Sequence, residues 1–362
     1  MKNIEDLRNE ISKIDRDMAE LFVKRMNVVR NIAIYKKERG LKIFDEEREK
    51  DLIENNSKYI DDIVLRSYYM SFLKDTMDVS KQYQHRLLDG IKIACSGVQG
   101  AFSHIAATRI FPDGQFNFYK DFSLAYKSVE TGECDCCVLP IENSYAGEVT
   151  QVTDLICSGS LFINGIYDLE ICHNLLGLQD AKISDIKTVL SHPQALSQCE
   201  GYIREHGFDK IKQNNTALAA QMVAQGKDKS VAAIASKETA ELYNLKILDH
   251  DINESNLNTT RFAVFSRVEN ILTREDSNFI MIFKVCNKAG ALAKAISTIS
   301  KYDFNMKVLR SRPIKEEPWQ YYFYVEIEGN SHSEAANQMI LELSTQCDKV
   351  KIAGNFLHEI KI

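Results

Sequence analysis

Residues 1–89 contain no proline and a single glycine, Gly40, and no other feature of the 362-residue sequence constrains its folding so strongly. With the two strongest helix breakers absent, this stretch is expected to form long helices. The apolar positions agree. Ile4, Leu7, Ile11, Ile14, Met18 and Leu21, then Val28, Ile32 and Tyr35, fit the three-and-four spacing of one helix face. Gly40 is placed to end that helix as a left-handed cap. A second helix should begin near Asp45 and a third should run from about Asp61 to Leu88. The first helix is too long to fold back on itself in a small monomer.

From Ile91 the texture changes. Short β-rich runs (IKIAC, CCVLP, KTVLS, SVAAIA, RFAVFS) alternate with amphipathic helical segments to about Val268, the pattern of an α/β domain. From Asn278 the order reads strand, helix, two strands, helix, strand, a ferredoxin-like βαββαβ arrangement. Three domains are therefore expected: 1–90 all-helical, 91–270 α/β in two lobes, and 276–362 α+β.

The charge balance narrows the function. A net charge of −6 gives no footing for phosphate-backbone binding, so no nucleic-acid partner is expected. The longest apolar runs are too short for a bilayer, and the N-terminus lacks an apolar signal core. Nine cysteines without regular spacing fit a reducing compartment, hence a cytoplasmic protein. Cys134-Asp135-Cys136-Cys137 lacks a second ligand pair and lies in an apolar run, so buried thiols are expected there and no metal. Gly97-Val-Gln-Gly100 is not a full dinucleotide fingerprint, and neither NAD nor ATP is supported.

In the helical segment, Arg25 occupies a heptad position whose other occupants are apolar, which suggests an inward guanidinium facing an anion. Lys36 lies three turns on, nearly on the same face. Asp45 and Glu49 share a face at i,i+4 spacing beside Arg48, as do Ser80 and Gln84. Arg8 supplies a geometric test. Along one straight helix it stands about 25 Å from Arg25 and about 42 Å from Lys36. Side chains reaching roughly 6–7 Å cannot close that distance around one metabolite. If all three serve one site, Arg8 must come from another copy of the chain.

These residues resemble the all-helical chorismate mutases across essentially all of residues 1–88. The resemblance implies an intertwined dimer that binds the dianion chorismate. Arg25 and the partner's Arg8 would hold its carboxylates, assisted by Ser80 and Arg48. Asp45 and Glu49 would engage the ring hydroxyl, and Lys36 and Gln84 would donate to the ether oxygen. The rearrangement is unimolecular and needs no cofactor. The enzyme restricts the conformer and stabilises the growing charge, where one preorganised donor is worth about 3–4 kcal/mol.

In the middle segment four β runs lead through polar or glycine-containing loops into helix starts, where helix N-termini favour anions. GVQGAFS (97–103), PIENSYAG (140–147), SHPQ (191–194) and Thr260-Arg261-Phe262 resemble prephenate dehydratase. That resemblance implies two lobes around a cleft, similar to periplasmic binding proteins. Thr260 would be the catalytic hydroxyl, and Asn143, Ser144, Gln194 and Arg261 would contact prephenate. His192 would serve a structural or hydrogen-bonding role at least as readily as proton transfer.

The last segment resembles an ACT domain of the phenylalanine-sensing kind. The effector would meet Gly290, Ala291 and Leu292 at a helix start and Arg312-Pro313 on a strand. Arg310 replaces the family's usual Glu, and Asn287 and Ala289 stand where Asp and Pro are common. The three modules together imply a bifunctional chorismate mutase–prephenate dehydratase under phenylalanine control, as a homodimer or a tetramer of paired dimers. Two other readings remain open: a non-catalytic amino-acid sensor, and a mutase joined to an arogenate-type dehydratase.

Overall fold

The computed structural model describes residues 3–254, 258–271, 277–314, 317–357 and 360–362. The chain divides into two compact units, Met1–Ile91 and Lys92–Ile362. The expected link between the second and third domains falls largely on residues 272–276, outside the described residues.

The first unit contains three helices: α1 (Ile4–Glu38), α2 (Glu46–Ser57) and α3 (Ile63–Asp89). Asn3 caps α1 in a reciprocal capping box with Asp6, which satisfies backbone donors that the helix itself cannot. At the far end Gly40 adopts φ +63°, one residue past the C-cap Arg39, in the left-handed conformation expected for it. Asp45 caps α2 and Asp62 caps α3. Val29 and Ala33 of α1 are buried, as are Leu73, Met77, Ser80 and Gln84 of α3. Residues 3–20 of α1 are exposed throughout, although Ile4, Leu7, Ile11, Ile14 and Met18 form one apolar stripe.

In the second unit, strands β1 (Lys92–Ser96), β2 (Gln115–Tyr119), β3 (Cys136–Asn143), β4 (Gly147–Glu148) and β5 (Phe162–Glu170) belong to the first lobe. Strands β6 (Asn174–Gly177), β7 (Thr188–Ser191), β8 (Asp209–Lys212), β9 (Val231–Ala235) and β10 (Lys246–Asp249) form the second-lobe sheet, in the order β10-β6-β9-β7-β8. The chain then returns to the first lobe as β11 (Thr259–Ser266), inserted antiparallel between β3 and β5. The lobes are thus joined twice, near 171–173 and 250–258.

The C-terminal segment supplies β12 (Ser277–Lys284), β13 (Met306–Pro313), β14 (Tyr321–Glu328) and β15 (Lys349–Leu357), with helices Ala291–Lys301 and Glu334–Gln346 and a short β16 (Ile360–Lys361). Its strands follow the order β13-β14-β12-β15, the ferredoxin-like arrangement. This sheet does not stand apart. Strand β15 meets β5 in parallel at Gly354 and Ile163, and β16 also pairs with β5. Among the described residues the result is one sheet of eleven strands, running from β13 at one edge to β2 at the other. Three domains are expected from the sequence; the observed chain has two compact units because of this shared sheet.

Gly354, with φ +152°, is required at the junction. A Cβ there would run into the Ile163 backbone. Gly354→Ala should therefore destabilise the second unit by about 1–3 kcal/mol, measurable as a lower urea midpoint. Helicity of the first unit should remain unchanged in the same protein.

Candidate active sites

In the helical unit, Arg25 is half-buried. Its Nη1 donates to Ser80 Oγ and, at 3.5 Å, to the Thr76 carbonyl of α3. Burial lowers its pKa. Gln84, one turn beyond Ser80, is buried, and its Oε1 has no hydrogen-bond partner among the described residues. Arg25, Ser80 and Gln84 thus form one polar patch between α1 and α3. Lys36 is half-buried and donates to the Ile43 carbonyl at 2.6 Å. It also lines a cavity of about 410 Å³ with Val28, Ile32, Tyr35 and Leu41. Glu49 is paired with Lys81 at 2.9 Å. Asp45 is exposed, with its carboxylate accepting from the Arg48 backbone N–H at 3.0 Å, while the Arg48 side chain is exposed. Arg8 lies on the bare half of α1, far from all of these within one chain.

In the second unit a cavity of about 620 Å³ opens between the lobes. Thr260, Asn143 and Gln194 line it, together with Ser96, Gly97 and Ser103 of the first loop. Five helices present their first turns to this space, at Phe102, Phe122, Thr150, Gln194 and Thr216, with Lys120 and Asp121 beside them. Helix N-termini and a lysine suit an anionic ligand. The segment after β9 does not line the cavity. Its Thr239 donates to the Gly100 carbonyl at 2.9 Å and Tyr243 to the Gln99 carbonyl at 3.1 Å, so it ties the second lobe to the first loop.

Asn143 organises the cavity floor. Its Oδ1 accepts from the backbone N–H groups of Tyr145 and Ala146, at 3.1 and 2.9 Å. Its Nδ2 is thereby turned to Thr260 Oγ1 at 2.9 Å and to Asn258 Oδ1 at 2.8 Å. Gln194 Nε2 adds a bond to Asn143 Oδ1 at 3.2 Å. Because Thr260 accepts from Asn143, its own proton is left to be donated into the cavity. His192 caps the Pro193–Gln198 helix through Nδ1, and burial lowers its pKa.

Two expected contacts are corrected. Successive strand residues point to opposite faces, so with Thr260 in the cleft Arg261 is turned away from it. Its guanidinium meets Glu326 of β14 through two contacts of 3.3 Å, with Glu142 at 3.7 Å. Ser144 is exposed and lies outside the cavity wall; it pairs with Thr259 through its Oγ and backbone N–H, fastening the ends of β3 and β11. The expected effector set is also divided. Leu292 borders a small pocket with Val285, Trp319 and Phe323, next to Gly290 at φ +82° and the helix start at Ala291. Arg312 and Pro313 line a separate cavity, where Arg312 is paired with Asp154 at 2.9 Å. Arg310, the departure from the family pattern, meets Glu142 of β3.

The sequence reading missed His173, Gln198 and Asn258, all buried near the two lobe crossings, and Asn214-Asn215-Thr216. Only the last carried a local signal, an Asn ahead of a helix start, where Asn215 is the cap. Burial pushes the Cys95, Cys157 and Cys199 thiols up to about 12. Among the described residues no cluster of three His, Cys, Asp or Glu converges on a metal position, and no helix is long and apolar enough to cross a membrane.

Glu326 is 1% exposed and is paired with Arg261 at 3.3 Å. Arg261→Met should cost about 3–5 kcal/mol by leaving that carboxylate uncompensated. Adding Glu326→Met should recover most of the loss in urea unfolding.

Comparison with known families places the chorismate mutase type II family on residues 7–85 and the prephenate dehydratase family on residues 93–270. A bifunctional chorismate mutase/prephenate dehydratase of Enterobacter agglomerans is 31% identical over 98% of this chain and 95% of its own length. Among solved structures, GqqA, described as a novel type of quorum-quenching acylase, is 30% identical with a TM-score of 0.68, over 74% of this chain and 97% of that one. A prephenate dehydratase from Arthrobacter aurescens in complex with L-Phe shares the fold at 24% identity and a TM-score of 0.69, over 74% and 90%.

Proposed function

The chain belongs to the bifunctional chorismate mutase/prephenate dehydratase family, and on that premise we propose how its residues divide the two reactions. The protein rearranges chorismate to prephenate and converts prephenate to phenylpyruvate. The helical unit carries the first step. Arg25, steadied by Ser80, binds a substrate carboxylate. Lys36 and Gln84 donate to the ether oxygen, with Arg48, Asp45 and Glu49 around the ring. In the unliganded chain Lys36 rests on the Ile43 carbonyl, a bond it exchanges for the substrate. The bare apolar stripe of α1 supports a second copy packed against it, which would deliver Arg8 to the partner's site and make the protein a homodimer.

The second unit carries the dehydration. One observation supports the assignment most: Thr260 lines a cavity ringed by helix N-termini and accepts from Asn143, which leaves its own proton free for a ligand. As the ring C–O bond breaks, its electron pair stays on oxygen. The carboxylate C–C bond breaks in turn, its pair enters the ring, and carbon dioxide leaves. Oxygen departs with one proton taken from solvent. Neutral threonine is too weak an acid to surrender its proton outright, so its contribution is a hydrogen bond to the departing oxygen. Gln194 and Asn143 position that hydroxyl.

The C-terminal ferredoxin-like segment acts as an ACT regulatory domain that binds phenylalanine. The related dehydratase in complex with L-Phe supports this reading. Within one chain Leu292 and the Arg312-Pro313 pair line separate cavities, so an effector site using both requires two copies. Nine free thiols fit the reducing cytoplasm.

Thr260→Ala should lower dehydratase kcat by about 10²-fold or more while mutase turnover stays at the wild-type rate. A full dehydratase rate in that variant would dismiss the assignment. Mixing inactive Arg8→Ala and Lys36→Ala subunits should restore mutase activity in proportion to verified mixed dimers. Millimolar phenylalanine should slow dehydration, and turnover of prephenate and arogenate side by side identifies the preferred acid.

A further inference from the structure

The hydrogen bonds behind Thr260 can be followed atom by atom, and their direction is fixed at one end by backbone donors. Tyr145 and Ala146 donate to Asn143 Oδ1, so Asn143 Nδ2 must be the donor to Asn258 Oδ1. Asn258 Nδ2 then donates to Gln198 Oε1 at 3.1 Å. Gln198 Oε1 can only accept, and His173 Nε2, 2.9 Å from it, must carry the hydrogen. Burial lowers the pKa of His173, which disfavours a second proton on the ring. A neutral imidazole protonated on Nε2 presents a bare lone pair at Nδ1.

That lone pair is unused. His173 is 2% exposed, and its Nδ1 has no hydrogen-bond partner among the described residues. The residue lies in the wall of the cavity that also contains Thr260, with its ring edge-on to Phe102. A buried acceptor without a partner costs free energy until a donor arrives. Prephenate has two carboxylates, a ketone and one ring hydroxyl, and the hydroxyl is its only hydrogen-bond donor.

Building on the dehydratase reading above, we propose that His173 Nδ1 accepts a hydrogen bond from the ring hydroxyl of prephenate and is a specificity-determining residue of the cleft. The hydroxyl then lies between an acceptor, His173, and a donor, Thr260, with an oxygen lone pair turned to the threonine. His173 neither gains nor loses a proton in the reaction. Its bond is made in the bound substrate and weakens as the oxygen departs, so it contributes to recognition rather than to the barrier. The product has no ring hydroxyl and forfeits the bond, which favours its release.

The test uses the full-length protein. His173→Gln should raise KM for prephenate about 10-fold with kcat within about 3-fold, the signature of lost ground-state binding. His173→Asn, whose side-chain oxygen can stand near the Nδ1 position, should recover most of that loss. Inhibition by phenylpyruvate should be the same in all three proteins. An unchanged KM in His173→Gln, or phenylpyruvate inhibition weakened in parallel, overturns the inference and leaves the dehydratase reading standing. Wild-type protein that leaves prephenate untouched overturns both. Should His173→Gln fail to fold, ¹⁵N-histidine spectra of the Thr260→Ala protein decide. The bare Nδ1 resonance should move on adding prephenate and stay in place with phenylpyruvate, and no movement with prephenate overturns the inference.

Discussion

The contact between Arg261 and Glu326 ties the strand that carries Thr260 to β14 of the C-terminal segment. Strand β11 turns Thr260 into the cleft and the next residue to the opposite face, where a nearly inaccessible carboxylate from β14 receives it. Glu142 repeats the design on β3: it faces Arg310, while its neighbour Asn143 faces Thr260. Two strands therefore carry cleft-lining residues on one face and an ionic clasp on the other. Such a clasp adds little stability by itself, since desolvation offsets much of the attraction. Its effect is to hold the register of the two strands whose side chains must meet across less than 3 Å.

The helical unit obeys a different constraint. A helix of 35 residues spans about 52 Å, and one chain cannot bring both of its ends to a small ligand. Half of α1 consequently shows an apolar face to water, an arrangement that is unfavourable unless another surface covers it. Arg25 is already seated on α3 by Ser80, while the buried Gln84 oxygen has no hydrogen-bond partner among the described residues. The pocket is partly built, with one buried acceptor still to be matched.

Much of this was legible in the sequence because it depends on local rules. The absence of Pro and Gly announced α1–α3, Gly40 and Asp45 marked their ends, and short β-rich runs located β1, β3, β7, β9 and β11. The βαββαβ order of the last segment was equally plain. Polar strands were harder: QFNFY of β2 and DKIK of β8 are not buried-strand patterns, and β8 is exposed along its length. Facing was hardest of all. Arg261 follows Thr260 in the motif, yet strand alternation sends it elsewhere, and its partner Glu326 lies 65 residues away. His173, Gln198 and Asn258 meet only because the chain crosses twice between lobes. No spacing along the sequence encodes that meeting.

The seam at Gly354 and Ile163 has a consequence for dissection of the chain. Among the described residues, strand β5 has β11 on one side and β15 and β16 on the other. A fragment ending near residue 270 would leave that side of β5 with unpaired N–H and C=O groups, an open template for a neighbouring molecule. The C-terminal segment thus also covers that edge against self-association, and a chain shortened before it would lose solubility along with the segment.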